Sequence, residues 1–137
     1  MNETLEFTIY MRAEPQGSAR AFVIAGRARV TTDNKKIKPF RSEVTRMALA
    51  ELGERPQPLF PQREPVHITV KFGFQRPPSA KKRFHPSVKP DIDKLVRAVS
   101  DALTGVAFHD DAQIVSVSAQ KCYAPQDYVT VSVWRAE

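Results

Sequence analysis

The run Val66-His67-Ile68-Thr69-Val70-Lys71-Phe72-Gly73-Phe74 constrains this chain more than any other segment. Val66, Ile68, Val70, Phe72 and Phe74 fall on one side and His67, Thr69, Lys71 and Gly73 on the other. That period of two is the signature of a strand with one buried face. Such a strand needs partners, and three other segments supply them. Residues 4–12 alternate with Leu5, Phe7, Ile9 and Met11 inward, and Ala112 to Tyr123 reads as a strand. After a turn at Ala124-Pro125-Gln126-Asp127, Tyr128 to Arg135 follows with Val129, Val131 and Val133 inward. Ala21–Thr32, hinged at Ala25-Gly26, reads as a hairpin in a region carrying Arg20, Arg27 and Arg29.

Two segments switch to helical spacing. Between Pro39 and Leu52 the apolar residues Phe40, Val44, Met47, Ala48 and Leu52 recur on one face, with Gly53 as the stop. From about Asp93 to Thr104, Leu95, Val99, Ala102 and Leu103 form a stripe helped by Ala98, and Gly105 ends it. Residues 54–65 hold Pro56, Pro58, Pro61 and Pro65, so they form an extended connector rather than a repeat or boundary. The order strand, hairpin, helix, strand, helix, strand, strand predicts an α+β fold, a small mixed β-sheet with two main helices packed on it. At 137 residues the expectation is a single domain spanning 1–137.

Composition excludes several classes. No apolar run approaches the roughly eighteen residues that a membrane span requires. The start Met1-Asn2-Glu3-Thr4 has no signal-peptide pattern, and the lone Cys122 cannot form an internal disulfide. Both point to the cytoplasm. Cys122 itself reads as a small core residue, and His67, His85 and His109 are scattered, so nucleophilic triads find no support. His109 is read as an exposed loop residue beside Asp110, with support of a metal site as the alternative. A net charge of +6 does not by itself separate a solvated surface from a nucleic-acid binder.

The chemistry lies in two acidic clusters within that basic chain. Lys89-Pro90-Asp91-Ile92-Asp93-Lys94-Leu95 precedes the second helix, and His109-Asp110-Asp111 precedes the next strand. If the first segment stays extended through Asp93, its two aspartates point the same way with Cα atoms roughly 6.5–7 Å apart. Two or three carboxylates suffice for Mg²⁺, which keeps several waters. Competing readings remain open: a helix N-cap for Asp93, a solvated loop charge for Asp91, a turn for Asp110-Asp111. Arg97 could join Asp93 and Asp101 in a surface ladder, or stabilise charge on a phosphate; for Asp101 the ladder is favoured. Phe84, in the basic loop Gln75–Pro90, is read as tucked against the core, with a wedge into DNA as the alternative.

The residues Lys89-Pro90-Asp91-Ile92-Asp93-Lys94-Leu95-Val96-Arg97-Ala98, Asp101-Ala102-Leu103-Thr104-Gly105, Asp110-Asp111-Ala112-Gln113-Ile114-Val115 and Lys121 closely resemble the RusA family of Holliday-junction resolvases. These are crossover junction endodeoxyribonucleases, often carried by phages and prophages, that act in DNA recombination and repair. The resemblance is dense over residues 89–121. It implies a homodimer that nicks two strands of a four-way DNA junction symmetrically with Mg²⁺ or Mn²⁺. The family's essential acids fall on Asp91, Asp93 and Asp111, with Asp110 as a frequent neighbour. Two departures matter: Lys94 stands where the family usually has Asn, and Arg97 replaces a functional Lys. Arginine keeps the charge but does not readily release a proton, so an electrostatic role survives and a general-acid role is in doubt.

The expected mechanism is therefore metal-assisted phosphodiester hydrolysis. Asp91, Asp93 and Asp111, with Asp110, hold Mg²⁺, and Arg97 assists. Arg76, Lys81, Lys82, Arg83, Lys89, Lys94 and Lys121 are the expected DNA contacts. By strand rise Lys121 lies roughly 30 Å from Asp111, which excludes it from that residue's metal site and leaves DNA contact, a place near the dimer partner, or a plain exposed lysine. The rival functions are a non-catalytic branched-DNA-binding protein that keeps the fold and an enzyme acting on a small phosphate ester.

Overall fold

The computed structural model describes residues 3–17, 19–24, 26–32 and 35–137; for 19–24 and 28–32 it describes the backbone only. The elements are β1 (Thr4–Ile9), β2 (Ala19–Ile24), β3 (Arg27–Thr32), α1 (Ile37–Leu52), β4 (Val66–Gln75), α2 (Ile92–Leu103), β5 (Ile114–Ala124) and β6 (Tyr128–Arg135). The fold is α+β, as the hydrophobic periodicities require. β1, β6, β4 and β5 form one mixed sheet in that order, while β2 and β3 form a separate antiparallel hairpin. Gly26, at φ 78°, supplies the left-handed turn position between them. The side chains of Arg20 and Arg29 lie outside the described residues.

Register explains the core. β6 runs antiparallel to both β1 and β4, so Leu5, Val133 and Ile68 form one row, Phe7, Val131 and Val70 the next, and Ile9, Val129 and Phe72 a third. All nine are buried, on the face that α1 and α2 cover with Phe40, Val44, Ala48, Leu95, Val99 and Leu103. Thr45 of α1 donates through Oγ1 to the Ala102 carbonyl of α2 at 2.8 Å, fixing one helix on the other. The proline-rich connector is anchored rather than loose: Leu59 and Phe60 are buried, and their amides donate to Val106 and Ala107. On the opposite sheet face the Tyr128 ring lies directly over Gly73, so close that any β-carbon there would collide with it. Cys122 is half-buried on that face, with Sγ 3.5 Å from the Tyr128 hydroxyl, rather than inside the core. That hydroxyl is pushed up to about 12, first by its bond to Cys122 and then by burial.

One connection positions everything that follows. β4 and β5 are adjacent and parallel, so the chain must return along α2 before β5 can begin. The entry of α2 therefore lies at the carboxyl end of β4, and its exit lies at the amino end of β5. Among the described residues no helix is long and apolar enough to cross a membrane.

Candidate functional site

Asp91 is the N-cap of α2, with φ −71° and ψ 134°, and its side chain makes no capping hydrogen bond. The helix begins at Ile92, so Asp93 already lies in the first turn. This differs from an extended segment running through Asp93. Proline at 90 restrains Lys89, the residue before it, but leaves Asp91 onward free to start the helix. The two carboxylates therefore leave the backbone from an N-cap and from the first turn, both at the entry of α2, rather than from one face of a strand. Both residues are exposed, and Lys94 Nζ stands 3.9 Å from Asp91 Oδ2. Arg97 is exposed and, among the described residues, pairs with neither Asp93 nor Asp101, so the surface ladder does not form.

The second cluster is a capped turn. Asp111–Gln113 forms one 3-10 turn, and β5 starts at Ile114 rather than Ala112. Asp110 caps it: Ala112 N donates to Asp110 Oδ1 at 2.9 Å. The buried Gln113 accepts from the amides of His109 and Asp110 and donates to the carbonyls of Pro61 and Glu64. His109 is exposed. Asp110 thus carries the turn-forming role, while Asp111 is exposed with its side chain against Asp110. That contact raises Asp111 above the usual carboxylate range, with burial, the Asp110 charge and the Asp101 charge adding to it. Asp110 is lowered, chiefly by the Ala112 amide.

The two acidic clusters stand far apart in the chain's fold. Asp111 senses Asp101, near the exit of α2, eight residues and roughly 12 Å of helix beyond Asp93. On the sheet the separation shows again. Asp111 precedes Ile114 at one end of β5, whereas Lys121, seven residues further on and roughly 23 Å along the strand, touches the Pro90 carbonyl beside Asp91. Ligand oxygens of Mg²⁺ sit about 2.1 Å from the ion, so no single cation spans that gap. Consistently, no three His, Cys, Asp or Glu side chains among the described residues come together to hold a metal. The donors are the hard oxygens that Mg²⁺ prefers, but this chain presents them as two separate groups. The convergence of Asp111 with Asp91 and Asp93 expected from the sequence does not occur inside a single chain.

The cations sort into two groups. Arg76 is turned into its own loop: it donates to the carbonyls of Ala80, at 2.9 Å, and Arg83, and lies 4.4 Å over the Tyr123 ring. Arg83 Nε donates to the Tyr123 hydroxyl at 2.8 Å. These contacts fold the loop onto β5, with Arg76 still exposed and Arg83 half-buried. Lys81, Lys82 and Lys89 are exposed on it. Phe84 is 86% exposed, so the reading that tucked it against the core is corrected. The loop's inward contacts are made by Ala80, Pro86 and the arginines, which leaves Phe84 outside.

Two cationic features escaped the sequence. Arg12, just beyond β1, lies 5.1 Å over Phe74 and lines a cavity of about 260 Å³ with Lys89, Lys94 and Asp91. Gln16 N donates to the Lys94 carbonyl at 3.0 Å, which ties this N-terminal stretch to the first turn of α2. At the other end, Lys38, Arg41 and Arg46 of α1 line a groove of about 640 Å³ that also contains Asp101. No local motif signals either feature, because both depend on which elements the topology makes neighbours.

A family model described as "Endodeoxyribonuclease RusA" matches residues 13–134, which include both acidic clusters, Lys121, both helices and three of the four strands of the sheet, all but the last residue of β6. The chain is also 30% identical over 142 residues to "Uncharacterized protein YqaN" of Bacillus subtilis (strain 168), with 96% of each chain covered. With the family match spanning most of the sequence, and with the acids and cations placed as above, the chain belongs to the RusA endodeoxyribonuclease family.

Proposed function

We propose that residues 1–137 act as one RusA-like unit that resolves four-way DNA junctions by paired nicks, as a homodimer, with Mg²⁺ or Mn²⁺ held where two protomers meet. The observation that carries this reading is the split acid set, two pairs of aspartates at opposite ends of one sheet in a chain of net charge +6. Asp91 and Asp93 of one protomer, with the partner's Asp111, would hold the ion, and Asp110 fixes the turn that presents Asp111. The chemistry such an ion supplies is activation of water and neutralisation of charge at the scissile phosphate. Around Asp91, Arg12, Lys89, Lys94 and Arg97 cradle that phosphate, while Lys81 and Lys82 hold backbone further along an arm without reading sequence. Phe84, free of the core, is placed to wedge into an opened junction centre. A DNA-acting role and the lone thiol of Cys122 fit the cytoplasm.

The dimer surface we assign is the outer edge of β5. Among the described residues that edge has no strand partner, and Val115 and Val117 of β5 are 60% and 50% exposed. Unpaired ladder groups beside exposed apolar side chains are the features that take a second copy. β5 starts immediately after the Asp111 turn, so a copy seated there borders the second half-site. Val117→Lys is expected to give a folded monomer by sedimentation, to melt cooperatively at a lower Tm that no longer depends on protein concentration, and to lose junction cleavage. A dimer that persists in this variant would move the interface elsewhere.

The test of the function is incubation of an end-labelled four-way junction with the protein in Mg²⁺ and in EDTA. Two symmetry-related nicks in Mg²⁺ and none in EDTA are expected. Tight, salt-dependent junction binding without cleavage in either condition would make the chain a non-catalytic branched-DNA binder.

A further inference from the structure

We infer that Lys121 is a positioning residue for Asp91, acting through the backbone of the loop that delivers it. This inference rests on the endonuclease reading, because it concerns a carboxylate that the reading places at the reaction centre. The Lys121 ammonium donates to the Val88 carbonyl at 2.8 Å and to the Pro90 carbonyl at 2.9 Å. Pro90 O belongs to the peptide plane that ends at Asp91 N, so fixing that oxygen fixes the plane from which the Asp91 side chain departs.

The local sequence explains why an outside donor is needed. Pro86 and Pro90 contribute no amide hydrogen, and the segment between them forms neither helix nor ladder. Its carbonyls need partners from elsewhere. A charged ammonium gives stronger bonds than a neutral donor, and it is mounted on a strand paired with β4 without interruption from Ser116 to Ala124. Lys121 lies opposite Phe72 in that ladder, with Tyr123 opposite Phe74. The pair Lys121 and Tyr123 therefore holds the loop at two points: Tyr123 receives Arg83, and Lys121 grips the residues just before α2. Lys121 is half-buried and two of its three donors are occupied inside the protein, which sets it apart from a lysine displayed to DNA.

The experiment compares Lys121→Met, which keeps the aliphatic stem, with Lys121→Arg, which keeps a cationic donor. Amide hydrogen exchange is measured on the free dimer, and junction cleavage is measured as a function of Mg²⁺. In Lys121→Met, exchange should accelerate at least about fivefold within residues 87–95 and stay unchanged in β4 and β6. Junction affinity in EDTA should stay within about twofold. The saturating cleavage rate should fall roughly 10–100-fold, and half-maximal rate should need more Mg²⁺, as for loss of a group that orients a metal ligand. Lys121→Arg should recover most of both losses. The inference is overturned if exchange at 87–95 is unchanged, or if it rises across the whole sheet. It is also overturned if affinity and its salt dependence fall while the saturating rate holds, the mark of a lysine on DNA. Should the wild-type chain cut no junction, the functional reading fails alone, and the exchange comparison still decides whether Lys121 holds the loop.

Discussion

Asp91→Asn is expected to lower junction cleavage by at least about a thousandfold, ~4 kcal/mol on the barrier, while leaving the fold intact. Several features of the site separate the two effects. Asparagine is as good an N-cap as aspartate, and Asp91 makes no capping bond to lose, so α2 should start where it does now. The Lys94 contact is long and exposed, so losing it should not move stability. What disappears is the negative charge of an exposed oxygen donor at the entrance of a cationic cavity. Junction affinity in EDTA should stay within about threefold or tighten, since a charge that repels phosphate has gone. Single-turnover cleavage, fluorescence anisotropy and a thermal melt together read out the three quantities. Full cutting by this variant in Mg²⁺ would remove Asp91 from the reaction.

Much of the fold was legible because alternation and helical spacing are printed directly on the chain. The five inward residues of β4 and the three valines of β6 are all buried. The stripe of α2 sits against the sheet as its spacing requires. What escaped was geometry set by topology. Proline 90 suggested an extended run through Asp93, yet its restraint acts on Lys89, and the helix starts at Ile92. Arg76 and Arg83 looked like free cations, but Tyr123, forty residues beyond Arg83, comes back on a neighbouring strand to receive both. Phe84 was read as a core aromatic, although a loop already tied down by its arginines has no need of it inside.

The Lys121 distance is the most instructive of these. Strand rise along β5 places Lys121 far from Asp111, and this excluded it from that residue's surroundings. The same rise carries it to Pro90 and the approach to Asp91. The length that separates Lys121 from one acidic cluster therefore also separates the two clusters from each other. Sequence spacing, about twenty residues between the aspartate pairs, hid this because the intervening helix and loop run the full depth of the sheet.

The second large effect follows from that separation. Asp111→Asn should be as inactive as Asp91→Asn, although the two residues lie at opposite ends of a protomer. If each site takes Asp91 from one chain and Asp111 from the other, a heterodimer of the two variants contains one site with both substitutions and one with neither. Mixing the two inactive proteins under conditions of subunit exchange should then restore cutting at about a quarter of the wild-type level, since half the dimers are mixed and each carries one intact site. The product should be a singly nicked junction, because such a dimer cannot cut twice. This mixing experiment is the most direct measure of whether the acidic halves meet across the subunit boundary. Recovery of single nicks is the result predicted here, and a mixture as inactive as its two components, with heterodimers demonstrably present, would contradict it.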